Sequence, residues 1–252
     1  MQEKNLAVLI LAAGKGTRMK SPLAKVLQPL LGRPLLSYVL ETVKSLQPGR
    51  LGVIVGYQAE KVKATFAEGG IEFVEQKEQL GTGHAARQAE SALENFEGDV
   101  LVLCGDMPLI QPETLRRLVR KHREGDAPCT LLTLKTGRGE FKEFGRVLRD
   151  AGHAVVRIVE NKDASPEEKN IDEYNAGVYC FNKGLFFKAL RSIDNNNSQS
   201  EYYLTDTVSY MVDHHMKVES IQTRDADEIF GINSQEELKQ AERIFLARNQ
   251  SG

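Results

Sequence analysis

The sequence contains little cysteine. Its 252 residues include only Cys104, Cys129 and Cys180, which lie far apart and form no CxxC pair. This pattern argues against a disulfide framework and against a zinc site, and it is typical of a protein in a reducing compartment. A chain of this length buries enough surface to hold a core without either kind of cross-link.

Long apolar segments are lacking as well. The longest apolar stretch near the start, from Leu6 to Ala13, is too short to span a bilayer. It also lacks the positively charged N-terminal region and the cleavage site of a signal peptide. We therefore expect a cytoplasmic protein that does not enter a membrane.

Neither sign of charge is in excess. The chain has 33 Lys and Arg residues against 35 Asp and Glu residues, a net charge of −2. A general nucleic-acid-binding protein would show a clear basic excess, so we expect no nucleic-acid partner. The hydrophobic share of 41% and the charged share of 27% are ordinary for a folded globular protein and exclude a disordered one.

Short apolar runs alternate with longer amphipathic segments in the first half of the chain. This rhythm predicts an α/β fold of the Rossmann-like kind, with a mostly parallel central sheet and helices on both faces. The predicted strands are Leu6–Leu11, Leu51–Val55, Ile71–Glu75 and Val100–Cys104. The predicted helices are Pro34–Leu46, Glu60–Phe66, Thr82–Asn95 and Pro112–Glu124.

The second half has more strand-like segments and fewer helices. We expect part of it to be antiparallel, to cover the open edge of the first sheet and to form a smaller substrate-covering portion. No linker or repeat is visible, which favours a single domain over residues 1–252. The predicted strands are Cys129–Lys135, Gly145–Arg149, Ala154–Glu160, Gly177–Phe181 and Val218–Gln222. The predicted helices are Glu201–His214 and Ser234–Arg248, with a loop at Asn195–Asn197.

A glycine-containing loop follows the first predicted strand, and residues 12–18 read Ala-Ala-Gly-Lys-Gly-Thr-Arg. Small residues let backbone N–H groups approach a nucleotide, and the basic residues can meet phosphate charge. Met19 stands where a dinucleotide fingerprint requires glycine or alanine, and no Walker A motif is present. Taken alone, Gly14 and Gly16 fit an ordinary strand-to-helix turn equally well.

Lys25 makes this segment more specific. From Leu11 to Lys25 it resembles the signature L-x-x-G-x-G-T-R-(M/L)…P-K of the sugar-phosphate nucleotidyltransferases, with Ala24 where that signature usually has proline. Seven further motifs follow in order. They are Gln76 with Leu80–Ala85, Leu103–Leu109, Phe144–Val147, Ile158–Ala164, Glu173–Gly177, Asn195–Asp206 and Gly231–Asn233.

The ordered set resembles the uridylyltransferase (pyrophosphorylase) domain of the bifunctional N-acetylglucosamine-1-phosphate uridylyltransferases and glucosamine-1-phosphate acetyltransferases. The resemblance runs from Leu6 to about Phe245. It implies transfer of UMP from UTP to N-acetylglucosamine 1-phosphate, with release of pyrophosphate and with Mg²⁺ as cofactor. That family continues into hexapeptide repeats that carry the acetyltransferase; because none is visible here, we expect no acetyl transfer.

The resemblance also implies the roles of individual residues. Arg18, Lys25 and Asp106 form the catalytic group, and Asp106 and Asn233 are the implied Mg²⁺ ligands. The nucleotide-binding group comprises Leu11, Ala12, Ala13, Gly14, Lys25, Gln76, Gly81 and Thr82. The sugar-binding group comprises Cys104, Gly105, Gly145, Glu160, Asn175, Tyr203 and Thr205.

Ordinary structural explanations stay open beside these roles. Asp106 could occupy the turn before Pro108, and Thr82 could cap a helix. Asn233 could also cap a helix, although Ser234-x-x-Glu237 is itself a capping box. His84 is interpreted as a helix-packing residue. For the whole chain, the alternatives are transfer to another sugar 1-phosphate and non-catalytic binding of a nucleotide sugar. The oligomeric state is left open.

Overall fold

The computed structural model describes residues 3–137 and 141–250, in which eleven strands and seven α-helices occur. The strands are β1 (Glu3–Ala12), β2 (Pro29–Leu30), β3 (Arg33–Pro34), β4 (Pro48–Val55), β5 (Glu72–Glu75), β6 (Asp99–Cys104), β7 (Cys129–Lys135), β8 (Arg146–Arg149), β9 (Val155–Val159), β10 (Glu173–Asn182) and β11 (Val218–Gln222). The helices are α1 (Leu35–Lys44), α2 (Ala59–Thr65), α3 (Thr82–Arg87), α4 (Pro112–Glu124), α5 (Lys183–Ser192), α6 (Asp206–Asp213) and α7 (Gln235–Gln250).

The main sheet has the strand order β11-β7-β10-β6-β1-β4-β5. Strands β6, β1, β4 and β5 are parallel to one another, while β10 runs antiparallel between β6 and β7. Strands β8 and β9 form an antiparallel pair attached to β10. The predicted α/β fold is therefore confirmed, including the antiparallel strand that covers the open edge of the first-half sheet.

Strand β1 is central because both of its faces are apolar. Leu6, Val8 and Ile10 belong to one buried cluster, and Ala7 and Leu9 belong to the cluster on the opposite face. Side chains alternate between the two faces along a strand, so a continuous apolar run is buried on both sides. Helices α1, α2 and α4 contribute to the first cluster, and α3, α5 and α6 contribute to the second.

Helix α3 is shorter than the predicted helix Thr82–Asn95. It begins at Thr82 but ends at Arg87, and a 3-10 turn follows at Ser91–Leu93. The backbone hydrogen bonds change to three-residue spacing here, as in Ala89 N–H to Ala86 O at 3.1 Å. The apolar periodicity indicated the helical direction of this segment, but not its tighter winding.

Two helices of the second half also differ from the prediction. Helix α5 was not predicted, although Asn182 caps it by accepting a hydrogen bond from Leu185 N–H at 3.2 Å. Helix α6 begins at Asp206 rather than Glu201, because the preceding segment runs along Leu80, whose carbonyl accepts from Tyr202 N–H at 2.8 Å. No helix among the described residues is both long and apolar enough to cross a membrane.

The start of β6 depends on a glycine with a left-handed backbone. Gly98 has φ +141°, and a Cβ there would lie 2.1 Å from the carbonyl oxygen of Asn5. We expect Gly98→Ala to lower the free energy of unfolding by about 1–3 kcal/mol, the range for a strained backbone position. Urea unfolding would measure this change. The control is Gly137→Ala, where a Cβ meets no atom within 4 Å. Equal stabilities of the two variants would contradict the prediction.

Candidate active site

The carboxyl ends of β1 and β6 meet at one edge of the sheet, where open α/β sheets bind ligands. Gly105 N–H donates to Leu11 O at 2.9 Å and ties the two strand ends together. Ile232 N–H donates to the carbonyl of Asp106 at 3.0 Å. This bond brings the segment before α7 to the same edge.

Three polar side chains from these segments converge. Lys25 Nζ donates to Asp106 Oδ2 in a short ion pair and to Asn233 Oδ1 at 3.0 Å. The side chains of Lys25 and Asp106 are only 18% and 11% exposed. Asn233 Nδ2 donates to Gly231 O at 3.1 Å, which turns Oδ1 towards the ammonium. The cluster therefore places a cation between two oxygen ligands.

The predicted helix cap leaves Asn233 available for this contact. Ser234 Oγ accepts from Glu237 N–H at 3.2 Å. The Glu237 carboxylate accepts from the backbone N–H of Asn233 at 2.6 Å. It therefore holds the backbone of Asn233 and leaves the side-chain amide free for the cluster. Ser234 is thus the residue that caps α7, and the side chain of Asn233 faces the cluster.

The glycine loop after β1 packs directly on Lys25. Gly16 has φ +68°, and a Cβ there would lie 2.6 Å from Lys25 Cβ. Only glycine combines this backbone conformation with so close an approach. The loop is therefore more than a turn between strand and helix, because it holds the lysine against the ends of the sheet.

Two adjoining cavities open beside the cluster. The first has a volume of about 230 Å³ and the second about 300 Å³, and Asp106 and Cys104 line both. All eight residues of the predicted nucleotide-binding group line the first cavity. Five residues of the predicted sugar-binding group line the second, namely Cys104, Gly145, Glu160, Asn175 and Thr205, and so do Arg18 and Asn233.

Gln76 lines the first cavity and is 3% exposed. Its Nε2 donates to Gly81 O at 3.1 Å and lies 3.0 Å from His84 Nδ1. Thr82 does not cap α3 with its side chain. Its hydroxyl accepts from Leu204 N–H at 3.0 Å and so joins the two cavity walls.

Glu160 is the acidic group of the second cavity. Its Oε1 accepts a hydrogen bond from the Thr205 hydroxyl at 3.1 Å, and burial raises the pKa of its carboxyl group. Asn175 is engaged within β10, because its Nδ2 donates to the Tyr179 hydroxyl at 2.7 Å. Its backbone N–H also donates to Gly145 O at 2.8 Å, which joins β10 to the cavity loop.

The structure does not bring two of the predicted sugar-binding residues to the cavity. The Tyr203 hydroxyl donates to Asp163 Oδ2 at 3.1 Å and lies in a neighbouring groove. Gly105 is packed against Val26, Ile10 and Leu36 behind the strand ends. Cys104 does line both cavities, and burial raises the pKa of its thiol to about 12, so the thiol stays neutral.

Sequence reasoning missed several residues at the site, of which three are polar side chains with a clear place in it. Tyr179 lines the second cavity, Gln79 lines the first, and His84 contacts Gln76. Tyr179 lies within the predicted strand Gly177–Phe181, where its side chain reads as an ordinary core aromatic. The position of His84 in the Leu80–Ala85 motif indicated that it could belong to the site, but the sequence alone does not identify a partner for its ring.

An acidic groove of about 430 Å³ lies beside the second cavity, with Asp163, Asp194, Asp206 and Asp213 in its lining. Burial, together with the charges of Asp194 and Asp163, raises the pKa of Asp206 to about 6. Like charges held together in a half-buried position disfavour the ionised form. No group of three or more His, Cys, Asp or Glu side chains suited to a metal ion occurs in the part of the chain that the structure describes.

Comparison with known proteins defines the class of protein. A family model described as MobA-like NTP transferase domain matches residues 8–171, more than half of the chain. A solved structure of UDP-glucose pyrophosphorylase complexed with UDP-glucose has a TM-score of 0.79. It covers 98% of this chain and 100% of its own, at 18% identity, so the likeness shows the fold.

Closer relatives narrow the class. Bifunctional protein GlmU of Desulfotalea psychrophila is 43% identical over 98% of this chain and 73% of its own length. Bifunctional protein GlmU of Pelobacter propionicus is 45% identical over 97% of this chain. The chain spans 53% of that second relative. The chain therefore belongs to the MobA-like NTP transferase family and, within it, to the group of the bifunctional GlmU proteins.

The raised pKa of Asp206 gives a prediction for stability. The penalty for its ionised form is fully present above about pH 6 and is relieved as the pH falls towards 3.8, the ordinary pKa of an aspartate. We expect Asp206→Asn to raise Tm above pH 6 by about 2–4 °C, the shift that about 1 kcal/mol produces in a chain of this size. The difference in Tm between this variant and the wild type should become smaller at lower pH. Thermal melting across this range would measure it.

Asp213→Asn is the matched control, because Asp213 lines the same groove but is exposed. This variant should melt close to the wild type at every pH. An advantage of Asp206→Asn that stays constant with pH would contradict the prediction.

Proposed function

We propose that this chain transfers UMP from UTP to N-acetylglucosamine 1-phosphate and releases pyrophosphate. The observation that carries the proposal is the Lys25–Asp106–Asn233 cluster between two adjoining cavities. A nucleotide in the first cavity and a sugar phosphate in the second would meet at this cluster. The relatives named bifunctional GlmU support this choice of reaction.

The reaction needs positioning and charge neutralisation more than proton transfer. The sugar phosphate is already an anion, and its oxygen attacks the α-phosphorus in line as pyrophosphate leaves. Lys25 lies at the boundary of the cavities, and Arg18 lines the second cavity with an exposed side chain. Their charges suit a growing negative charge on the phosphates.

Asp106 and Asn233 fit the implied Mg²⁺. Their side-chain oxygens already converge on one cation, the Lys25 ammonium. Carboxylate and amide oxygens are hard ligands, and Mg²⁺ in phosphate sites usually takes one or two protein oxygens together with phosphates and water. When bound, Mg²⁺ would neutralise phosphate charge. The residues of the chain would hold it, and Gly231 keeps the space beside both ligands free of a side chain.

The second cavity supports a sugar ligand. Glu160 and Thr205 form one hydrogen-bonded wall, and Tyr179 lines the same cavity. Carboxylate, hydroxyl and amide groups exchange hydrogen bonds with sugar hydroxyls and with an acetamido group. The identity of the sugar as N-acetylglucosamine is the most specific part of the proposal. The alternative acceptor substrates are other sugar 1-phosphates.

The direct test is pyrophosphate release from UTP with N-acetylglucosamine 1-phosphate, beside glucose 1-phosphate and glucosamine 1-phosphate. We expect the highest kcat/KM with the N-acetylated sugar. A higher value with another sugar phosphate would replace the substrate but keep the reaction. Nucleotide-sugar binding without any pyrophosphate release would overturn the proposal in favour of a binding protein.

Asp106→Asn should keep the fold and lower kcat/KM by about 10²–10³, the range for losing one preorganised electrostatic contact. The reason is that the amide lacks the charge that orients Lys25 and holds Mg²⁺. Initial rates at limiting Mg²⁺, with circular dichroism as a check on folding, would measure the effect.

Asp213→Asn again serves as the control, since this exposed carboxyl lies outside both cavities. It should retain wild-type kcat/KM. An Asp106→Asn enzyme that also stays within about threefold of the wild type would remove Asp106 from the reaction centre.

A further inference from the structure

The backbone just before Lys25 is held by the side chain of Gln58, which follows β4. Gln58 Oε1 accepts from Ala24 N–H at 3.0 Å, and Gln58 Nε2 donates to Pro22 O at 2.7 Å. We infer that Gln58 is a positioning residue that fixes this backbone and so holds the Lys25 ammonium where it meets the phosphates. The inference rests on the proposed function, because Lys25 belongs to the proposed reaction centre. Gln58 itself lines neither cavity and acts through Lys25.

The backbone of Gln58 has an uncommon conformation. Gln58 directly precedes α2 and has φ 55° and ψ 38°, which lies in the left-handed region. Residues other than glycine, asparagine and aspartate rarely adopt this conformation, because their Cβ comes close to the backbone. The side chain does not cap α2. Both ends of its amide are instead bound to the segment before Lys25, so the strained residue serves that segment and not its own helix.

The loop that carries Gln58 is fixed to the end of β1. Tyr57 N–H donates to Ala13 O at 3.0 Å. A Cβ at Gly56 would lie 2.8 Å from the same carbonyl oxygen, so only glycine permits the two loops to approach this closely. Gln58 therefore reaches residues 22–24 from a support that belongs to the sheet.

The backbone N–H of Ala24 needs the acceptor that Gln58 provides. Ala24 is 1% exposed, so water does not satisfy this donor. The signature that this segment resembles has proline here, a residue that lacks the N–H and holds φ near −65°. Ala24 has φ −52° and ψ 140°, which lies within the range of a proline. In this chain the Gln58 amide thus supplies the acceptor and the restraint that a proline ring would make unnecessary.

A second glutamine binds the residue between these two contacts. Gln28 is buried, and its Nε2 donates to Leu23 O at 3.0 Å. Three consecutive residues before Lys25 are therefore each held by a side-chain amide, two of them by Gln58. Such a series of contacts leaves little freedom for the backbone from which the lysine side chain starts.

The position of this backbone matters for the ammonium. Ala24 begins a 3-10 turn, in which Leu27 N–H donates to Ala24 O at 2.9 Å. From this turn the Lys25 side chain has to reach Asp106 and Asn233 together. A displacement of about 1 Å at a distance from the reacting atoms can lower a rate by as much as about 10²-fold. Loss of the Gln58 contacts should therefore impair Lys25 without any direct contact to substrate.

The experiment measures kcat/KM for pyrophosphate release after Gln58→Met, both alone and together with Lys25→Met. Methionine is close in length to glutamine but neither accepts from Ala24 nor donates to Pro22. Alone, the change should lower kcat/KM by about threefold to tenfold, the effect of one hydrogen bond. In the Lys25→Met background it should change kcat/KM by less than about twofold, because the residue through which Gln58 acts is gone. An equal loss in both backgrounds is expected of a residue that only supports the fold, and it would overturn the inference.

Gln111→Met is the matched control. Gln111 is half-buried like Gln58, and its Nε2 donates to a backbone carbonyl, Leu109 O, at 3.1 Å, but it lines neither cavity. This variant should retain wild-type kcat/KM. Thermal melting of both variants checks that each is folded at the assay temperature. A loss of activity in Gln58→Met no larger than that in Gln111→Met would contradict the inference.

A proline at position 24 provides a rescue. In Ala24→Pro the ring takes the place of the N–H and meets Gln58 Oε1, so this variant and Gln58→Ala should each lose activity. In the double variant the proline has no N–H to satisfy and has the space that the glutamine occupied. Its kcat/KM should exceed that of both single variants. A double variant less active than either single variant would show that Gln58 does not act on this backbone.

Failure of the proposed function and failure of this inference give different results. A wild type that releases no pyrophosphate from UTP with any sugar 1-phosphate overturns the proposed function. The dissociation constant of UTP, measured by calorimetry, then decides the role of Gln58, because Lys25 lines the first cavity. Gln58→Met should weaken UTP binding in the wild-type background but not in the Lys25→Met background. Equal weakening in both backgrounds, or none in either, would contradict the inference.

Discussion

The Lys25 ammonium, shared between Asp106 and Asn233, is the interaction on which the site depends. A mostly buried charge is unfavourable unless it is paired and hydrogen-bonded, and here both requirements are met by segments far apart in the sequence. Neighbouring glycines hold two members of the cluster in place. Gly16 permits the close position of Lys25, and the carbonyl of Gly231 orients the side chain of Asn233. The cluster thus determines how the glycine loop, the end of β6 and the start of α7 meet.

The sheet determines where this cluster can form. Strands β1 and β6 are parallel and in register, with Leu11 opposite Cys104, so their carboxyl ends finish side by side. The antiparallel strand β10 continues the sheet beyond β6 and carries Asn175 and Tyr179 to the wall of the second cavity. The strand ends thereby separate the proposed nucleotide side from the proposed sugar side. Among the described residues, Asp106 is the only charged residue that lines both cavities.

Much of this arrangement could be predicted from local patterns. The bounds of α4, β7 and β11 agree with the prediction, because strong periodicity and flanking turn residues mark them. The glycine loop and Asp106 follow apolar strands, which already places them at the edge where ligands bind. Other features depend on contacts between distant segments. Tyr203 pairs with Asp163 instead of facing the cavity, and the His84 ring lies 3.0 Å from the side-chain nitrogen of Gln76; neither partner can be read from sequence spacing.

The central claim is that Lys25 and Asp106 act as one unit. A double-mutant cycle on kcat/KM for pyrophosphate release, with Lys25→Met, Asp106→Asn and the double variant, tests it most directly. If the two residues act together, the kcat/KM of the double variant should be only slightly below that of the less active single variant, since either change alone breaks the unit. Losses that multiply, as they do for independent sites, would contradict this account of the active site.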